Sequence, residues 1–375
     1  MKFNEIKEIE ERFYSRAFSR LPVAIEKGIG MYLYDFDGKR YLDMFAGIAV
    51  NSLGHSHPKI IKTIERQSKK LMHVSNWFYT LPQLELAEIL VRITGMERAF
   101  ITNSGTEAVE SAIKLARKFS DKKEIIAMEN SFHGRTLGAL SLTWGKKYRK
   151  PFEPLLPKMK FVKYNDIDSL KKSITDKTGA VIVEPIQGEA GVIIPDPDYL
   201  CNIREITEKR GILLILDEIQ TGFGRTGEMF VFQKSKIKPD ILCLAKGMGS
   251  GFPIGAMLSN GIDFNPGEHG GTFIGNPLAC EVSKSVIEVI INENLVENSK
   301  RMGKYLKENL DDMGANVRGE GLMIGIDVDN GKEKVLELID KGVLTIYSGN
   351  TVRVLPPLII EKKHADEFLG AWLNC

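Results

Sequence analysis

The sequence predicts an α/β protein with a mostly parallel central sheet, joined to a smaller α+β domain assembled from both chain ends. Three observations carry that expectation. First, four short apolar runs each stop at a polar or glycine-rich segment: AFIT (Ala99 to Thr102), AVIV (Ala180 to Val183), ILLIL (Ile212 to Leu216) and ILCLA (Ile241 to Ala245). Continuous apolar runs of this length, without alternation, suit strands buried on both faces of a parallel sheet. Second, amphipathic stretches separate them. TEAVESAIKLARKFS, apolar at Val109, Ile113, Ala116 and Phe119, predicts a helix covering such a sheet. Third, the chain ends follow a different pattern, and they are taken next in order.

The opening MKFNEIKEIEERFYSR is charged and periodic and lacks the apolar core of a signal peptide. YLYDFDGKRYLD predicts a hairpin around an Asp-Gly turn. Residues from Ser285 to Leu310 predict one long helix. Short strands are expected at Leu322 to Val328, Val343 to Ile346 and Thr351 to Leu355, followed by a last helix near the C-terminus. The expected division is 1–48 together with 276–375 for the smaller domain and 49–275 for the larger one.

Composition narrows the function. The 375 residues carry Lys+Arg 51 against Asp+Glu 49, a net +2, with both signs mixed along the chain. That balance argues against a partner selected by bulk charge, such as nucleic acid or an anionic membrane. Hydrophobic content of 43% with 27% charged residues is ordinary for a cytoplasmic protein with a sizeable core. Four cysteines without a CxxC pair point to neither a disulfide scaffold nor a zinc site. No apolar stretch approaches the roughly 20 residues that cross a bilayer.

In a doubly wound sheet, ligands gather at the carboxyl ends of the strands. There the sequence places Asn103 to Glu107, Glu184 to Glu189, Asp217 to Gln220 and Lys246. NSGTEA turns from a strand into a helix, so free N–H groups and the positive end of the helix dipole converge on it. It suits a phosphate or carboxylate, and it also suits an ordinary N-cap with Glu107 in the first turn. Asp217 and Glu218 end a very apolar strand, where a carboxylate normally needs a cationic partner. Lys246 ends another and is followed by a glycine-rich loop. Desolvation there favours an amine nucleophile, although a lone lysine commonly reaches out to solvent. The combination is more specific than its parts. An anion-binding helix start, a buried Asp and a buried Lys, each at a strand end, are what pyridoxal phosphate requires.

With those residues in place, the chain resembles the class III aminotransferases of fold-type I, and within them the acetylornithine enzymes. The resemblance rests on GIAVNSLGHSHP, SNWFYTLPQLELAE, NSGTEAVESAIKLAR, SFHGRT, VEPIQGEAGV, LDEIQTGFGRTG, AKGMGSGFPIGA, GGTFIGNPLA and RVLPPL, spread from about Leu21 to Ile360. It implies that pyridoxal 5'-phosphate is held by Gly105, Thr106, Phe132, Asp217, Glu218, Ile219, Gln220 and Lys246. Lys246 is implied as the amine that joins the cofactor and shuttles the proton, and Asp217 as the partner of the ring nitrogen. Thr272 is implied to reach the phosphate of a second subunit's cofactor, which implies a homodimer with shared sites.

The resemblance also implies the substrate contacts. Arg135 would hold the carboxylate remote from the reacting amine, and Arg353 the α-carboxylate of glutamate or 2-oxoglutarate. Glu189 would neutralise Arg353 when an ω-amino substrate is bound. Gly271 stands where acetylornithine enzymes usually carry Ser or Thr. Phe18 falls where relatives acting on free ornithine carry a tyrosine, which fits an acylated substrate. The implied reaction moves the δ-amino group of N2-acetyl-L-ornithine to 2-oxoglutarate, giving N-acetyl-L-glutamate 5-semialdehyde and L-glutamate, a step of arginine biosynthesis. Related reactions on carrier-linked lysine, succinyl-diaminopimelate, ornithine or 4-aminobutyrate share the mechanism, whereas the glutamate semialdehyde mutase is a different class within the fold that needs no second substrate.

Other signals are weaker. GFGRTG matches a dinucleotide fingerprint, but DEIQT separates it from the strand and no clean helix follows. His55 and His57 read as a loop rather than as metal ligands, and no metal site is expected. His133 reads equally as a structural residue or as one near the cofactor. Lys146 to Lys150 reads as a solvated face.

Overall fold

A computed structural model describes residues 2–375. Its strands, in chain order, are β1 (Ile25–Ile29), β2 (Tyr32–Asp35), β3 (Arg40–Asp43), β4 (Arg98–Thr102), β5 (Glu124–Met128), β6 (Met159–Val162), β7 (Thr178–Val183), β8 (Leu213–Asp217), β9 (Ile241–Leu244), β10 (Gly255–Ser259), β11 (Asn316–Glu320), β12 (Met323–Asp327), β13 (Val343–Leu344), β14 (Ile346–Ser348) and β15 (Thr351–Val354). Seven of them form the central sheet, in the order β4-β10-β9-β8-β7-β5-β6. Strands β9, β8, β7, β5 and β6 are mutually parallel, and β10 runs against both of its neighbours. Because β4 is antiparallel to β10, it regains the sense of the parallel set. Its carboxyl end therefore opens on the same edge as theirs.

The four apolar runs are β4, β7, β8 and β9. Strands β5, β6 and β10 carried weaker signals. EIIAM opens on Glu124, whose side chain is bonded to Thr178 Oγ1 at 2.7 Å and paired with Lys160 at 2.8 Å. MKFV is short and GAMLS contains Gly and Ser, so neither stands out as an apolar run. The helix Gly105–Phe119 buries Ala108, Val109, Ala112, Ile113 and Ala116 on the sheet. Each large apolar side chain so buried contributes about 1.5–3 kcal/mol. The helix starts at Ser104, whose hydroxyl accepts from the Glu107 N–H at 3.3 Å.

The ends of the chain depart from expectation in two places. The single helix expected from Ser285 to Leu310 is two helices, Pro277–Asn292 and Leu295–Asp312. Asn294 separates them at φ +52, a left-handed conformation that Asn tolerates better than most residues. The segment Val343 to Ile346 is likewise split between two sheets. Strand β13 pairs in parallel with β3, while β14 pairs antiparallel with β15. The first of these sheets runs β1-β2-β3-β13 and the second β11-β12-β15-β14, so residues from both chain ends share a sheet. The expected Asp-Gly hairpin is β2–β3, with Gly38 at φ +81. The opening helix Phe3–Phe13 buries none of its residues.

Candidate active site

The carboxyl ends of β4, β7, β8 and β9 and the loop after β5 converge on one cavity of about 400 Å³. Asn103, Gly105 and Thr106 line it from the helix start, Phe132 and His133 from the loop, Asp217, Ile219 and Gln220 from β8, and Lys246 from β9. Lys246 sits at φ +46 and is followed directly by Gly247. Burial pulls its ammonium pKa below the ordinary lysine value. The Arg353 charge adds to this, and nearby carboxylates only partly offset it.

Asp217 is fixed on both oxygens. Oδ2 is 2.7 Å from His133 Nδ1, and Oδ1 accepts from the Ile219 N–H at 3.1 Å. Burial alone would lower the His133 pKa, but the hydrogen bond and charge of Asp217 raise it overall. His133 thus lines the cavity and orients Asp217 within it. Glu218 points the other way. Side chains that succeed one another in extended backbone point to opposite sides, so Asp217 lines the cavity and Glu218 does not. Glu218 accepts from the N–H groups of Val231 at 2.9 Å and Phe232 at 2.8 Å, and burial pushes its carboxyl up to about 7. Its side chain is thus tied to Val231 and Phe232 and does not line the cavity.

Arg353, on β15, is wholly buried. Its Nη1 donates to Glu189 Oε1 at 2.8 Å and to Ser348 Oγ at 3.3 Å, and its Nη2 donates to Gln220 Oε1 at 3.0 Å. Burial would raise the Glu189 carboxyl, yet Arg353 and Lys246 hold it below the ordinary carboxylate range. Arg135 is exposed instead, with its guanidinium 5.7 Å from the Phe132 ring centroid and 5.1 Å from that of Tyr148. Gly271 and Thr272 are also exposed and lie outside the cavity lining. Phe18 is 54% exposed on the N-terminal segment and is not part of the lining either.

A further charged cavity residue stood at a strand end in the sequence without an assigned role. Glu184, just after β7, accepts from the Phe132 N–H at 2.9 Å and from the Gly188 N–H at 3.4 Å. Burial pushes its carboxyl up to about 7. It joins the loop bearing Phe132 to the loop bearing Glu189. Its position after an apolar strand was the only signal available. The weaker motifs have structural roles. His55 Nε2 lies 2.7 Å from Asp43 Oδ2. In GFGRTG, Phe223, Gly224 and Gly227 take positive φ, and the buried Arg225 donates to the Leu322 carbonyl at 3.1 Å. Lys146, Lys147 and Lys150 are solvated.

The family model described as aminotransferase class-III matches residues 13–374. An acetylornithine aminotransferase of Methanothermobacter thermautotrophicus is 46% identical over 377 residues, covering 98% of this chain and 97% of its own. The solved ornithine aminotransferase of Toxoplasma gondii, with pyridoxal phosphate in partial occupancy at its active site, superposes with a TM-score of 0.96. It is 31% identical and covers 100% of this chain and 93% of its own. The acetylornithine aminotransferase of Elizabethkingia anophelis superposes at 0.89, with 32% identity and coverage of 100% and 98%.

The cavity fits pyridoxal phosphate. It offers an amine of lowered pKa, a fixed carboxylate for the ring nitrogen, an aromatic ring, and a helix start for the phosphate. Glycines keep the cradle open. A Cβ on Gly105 would meet Ile219 Cδ1 at 2.9 Å, and one on Gly134 would meet Thr106 Oγ1 at 2.3 Å. The extent of the family match, the relatives and this donor set agree: the chain belongs to the class-III aminotransferases, enzymes that depend on pyridoxal phosphate.

Proposed function

We propose that the protein transfers the δ-amino group of N2-acetyl-L-ornithine to 2-oxoglutarate, giving N-acetyl-L-glutamate 5-semialdehyde and L-glutamate in arginine biosynthesis. The observation that carries this reading is the Glu189–Arg353 pair beside Lys246. A transaminase meets two amino donors in one cavity, and only glutamate brings a carboxylate next to the reacting carbon. For the ω-amino donor the pair stays closed, which avoids an uncompensated buried charge. For glutamate, the α-carboxylate takes the place of Glu189 on the Arg353 guanidinium. The names of the relatives support the acylated donor.

Bound pyridoxal phosphate supplies the aldehyde that takes up the amino group and the ring that accepts electrons. Lys246 holds an amine of lowered basicity at the cavity floor, ready to take and return a proton at Nζ. Asp217, held by His133, presents a carboxylate to a ring nitrogen. Gly105 and Thr106 offer donors to the phosphate, Phe132 a face to the ring, and Ile219 and Gln220 the remaining walls. Arg135, clear of the cavity floor, receives the carboxylate remote from the amine.

The same reading covers assembly. Phe273, next to Thr272, is 63% exposed and its ring lies 5.2 Å from that of His73, on the segment whose Trp77, Phe78 and Tyr79 are exposed by 90%, 65% and 95%. Asn76 Nδ2 ties the two segments by donating to the Ile274 carbonyl at 3.0 Å. An apolar face of this kind supports a homodimer in which Thr272 serves the partner's cofactor and Gly271 borders the partner's substrate. Residues 1–48 and 276–375 are read as one domain and 49–275 as the other, and the protein is placed in the cytoplasm. No helix among the described residues is long and apolar enough to cross a membrane.

The test is a half-reaction screen of the holoenzyme. Loss of the cofactor's visible absorbance should be fastest with N2-acetylornithine and slower with ornithine, 4-aminobutyrate and acylated lysine or diaminopimelate. Free ornithine reacting as well as the acetylated donor would defeat the assignment.

A further inference from the structure

We propose that Glu110 is a positioning residue that sets the reach of the donor site. It does so by fixing the segment that carries Arg135 to the helix that receives the cofactor phosphate. The proposal rests on the reading of Arg135 as the anchor for the remote carboxylate.

Glu110 lies one turn beyond Thr106 in the helix Gly105–Phe119. Its Oε1 accepts from Thr136 Oγ1 at 2.5 Å, from the Gly138 N–H at 2.9 Å and from the Ala139 N–H at 3.2 Å. These donors open the short helix Leu137–Ser141, whose own N-cap residue, Thr136, makes no side-chain capping bond. The cap is therefore supplied from another helix. The approach is close. A Cβ on Gly138 would meet Glu110 Oε2 at 2.2 Å, so the carboxylate sits directly against this backbone and would have to move aside for any larger residue.

The direction of the hydrogen bonds follows. A carboxylate only accepts, so the single Thr136 proton points at Glu110. The Thr136 oxygen then accepts from Thr106 Oγ1, 2.9 Å away. Thr106 is the expected phosphate contact, here through its backbone N–H because its hydroxyl proton goes to Thr136, so the residue that meets the phosphate is tied to the residue after Arg135. On the other side of Arg135, Glu184 holds the Phe132 N–H, and the rings of Phe132 and Tyr148 steer the guanidinium. The separation of Lys246 from Arg135 is thereby set by backbone pinned at both ends. A donor is measured by its length from amine to carboxylate.

The experiment compares the wild-type holoenzyme with Glu110→Ala and Glu110→Gln. Single-turnover rates are measured with N2-acetylornithine, with N2-acetyllysine (one methylene longer) and with glutamate. One methylene is commonly discriminated by about tenfold or more. Glu110→Ala should erase about tenfold of that preference, acting through the apparent KM, with kcat changed by less than about threefold. Glutamate, still held by Arg353, should be affected less. Glu110→Gln keeps the accepting oxygen and should restore the preference. If the alanine variant folds poorly, Thr136→Val, which removes one of the three donors, should show the same loss more weakly.

An alanine variant that keeps the wild-type preference would overturn the proposal. So would one that loses all substrates equally and is not rescued by glutamine. A wild-type enzyme that turns over 1-aminobutane as readily as N2-acetylornithine would overturn the donor reading and this proposal together.

Discussion

Arg353 and Arg135 are two guanidinium groups beside one cavity, in opposite surroundings. Arg353 is wholly buried and bonded to Glu189, Gln220 and Ser348. Arg135 is exposed and rests on the rings of Phe132 and Tyr148. The difference follows from solvation. A charge in water needs no partner, whereas one in the interior needs a counter-charge at all times. Under the proposed function, Arg353 therefore carries a built-in substitute for a substrate carboxylate, and Arg135 is open to every substrate. One anchor would then discriminate between the half-reactions and the other would serve both.

The harshest test of that contrast is Arg353→Ala, which strands Glu189 and removes the α-carboxylate anchor. The glutamate half-reaction should lose about a thousandfold in kcat/KM, equivalent to about 4 kcal/mol, and the N2-acetylornithine half-reaction less than about tenfold. Stopped-flow single turnovers with each donor measure both, and equal losses would break the contrast. Arg135→Ala should weaken both halves. The expected losses are about a hundredfold for N2-acetylornithine, which has no second anchor, and about tenfold for glutamate. A loss confined to glutamate would reverse the assignment of the two arginines.

The smallest effect is expected from Glu189→Gln, about tenfold in the N2-acetylornithine half-reaction with glutamate nearly unchanged. Its pH dependence sharpens the point. Burial would raise the Glu189 carboxyl, but Arg353 and Lys246 hold it below the ordinary carboxylate value. A depressed carboxyl contributes fully above its unfolded pKa and loses that contribution only as pH falls through its folded value. The ratio of wild-type to variant rates should therefore stay flat between about pH 8 and about pH 6. A ratio that collapses across that window would show that Glu189 is not held ionised by Arg353.

Much of the fold was legible because its signals are local. AVIV, ILLIL and ILCLA need no neighbours to read as buried strands, and DFDG needs none to read as a turn. The strands missed were those whose apolar runs are diluted, such as GAMLS, or opened by a charge, as in EIIAM. The long helical pattern after Ser285 hid a break because Asn294 costs little periodicity and only its backbone dihedral ends the helix. In the site, Asp217, Lys246 and the helix start at Gly105 were legible from strand ends. The different directions of the Asp217 and Glu218 side chains were not legible, because adjacent residues share one sequence signal but point to opposite sides.

By itself the sequence determined where strands end, which reactive residue types stand at those ends, and which family they resemble. The tertiary structure alone decided who meets whom. Glu189 and Arg353 are 164 residues apart, His133 and Asp217 are 84 apart, and Glu110 and Thr136 are 26 apart. Periodicity and turn chemistry act over a few residues. Hydrogen bonds and charge compensation act over a few ångströms, across segments that only sheet order and register bring together.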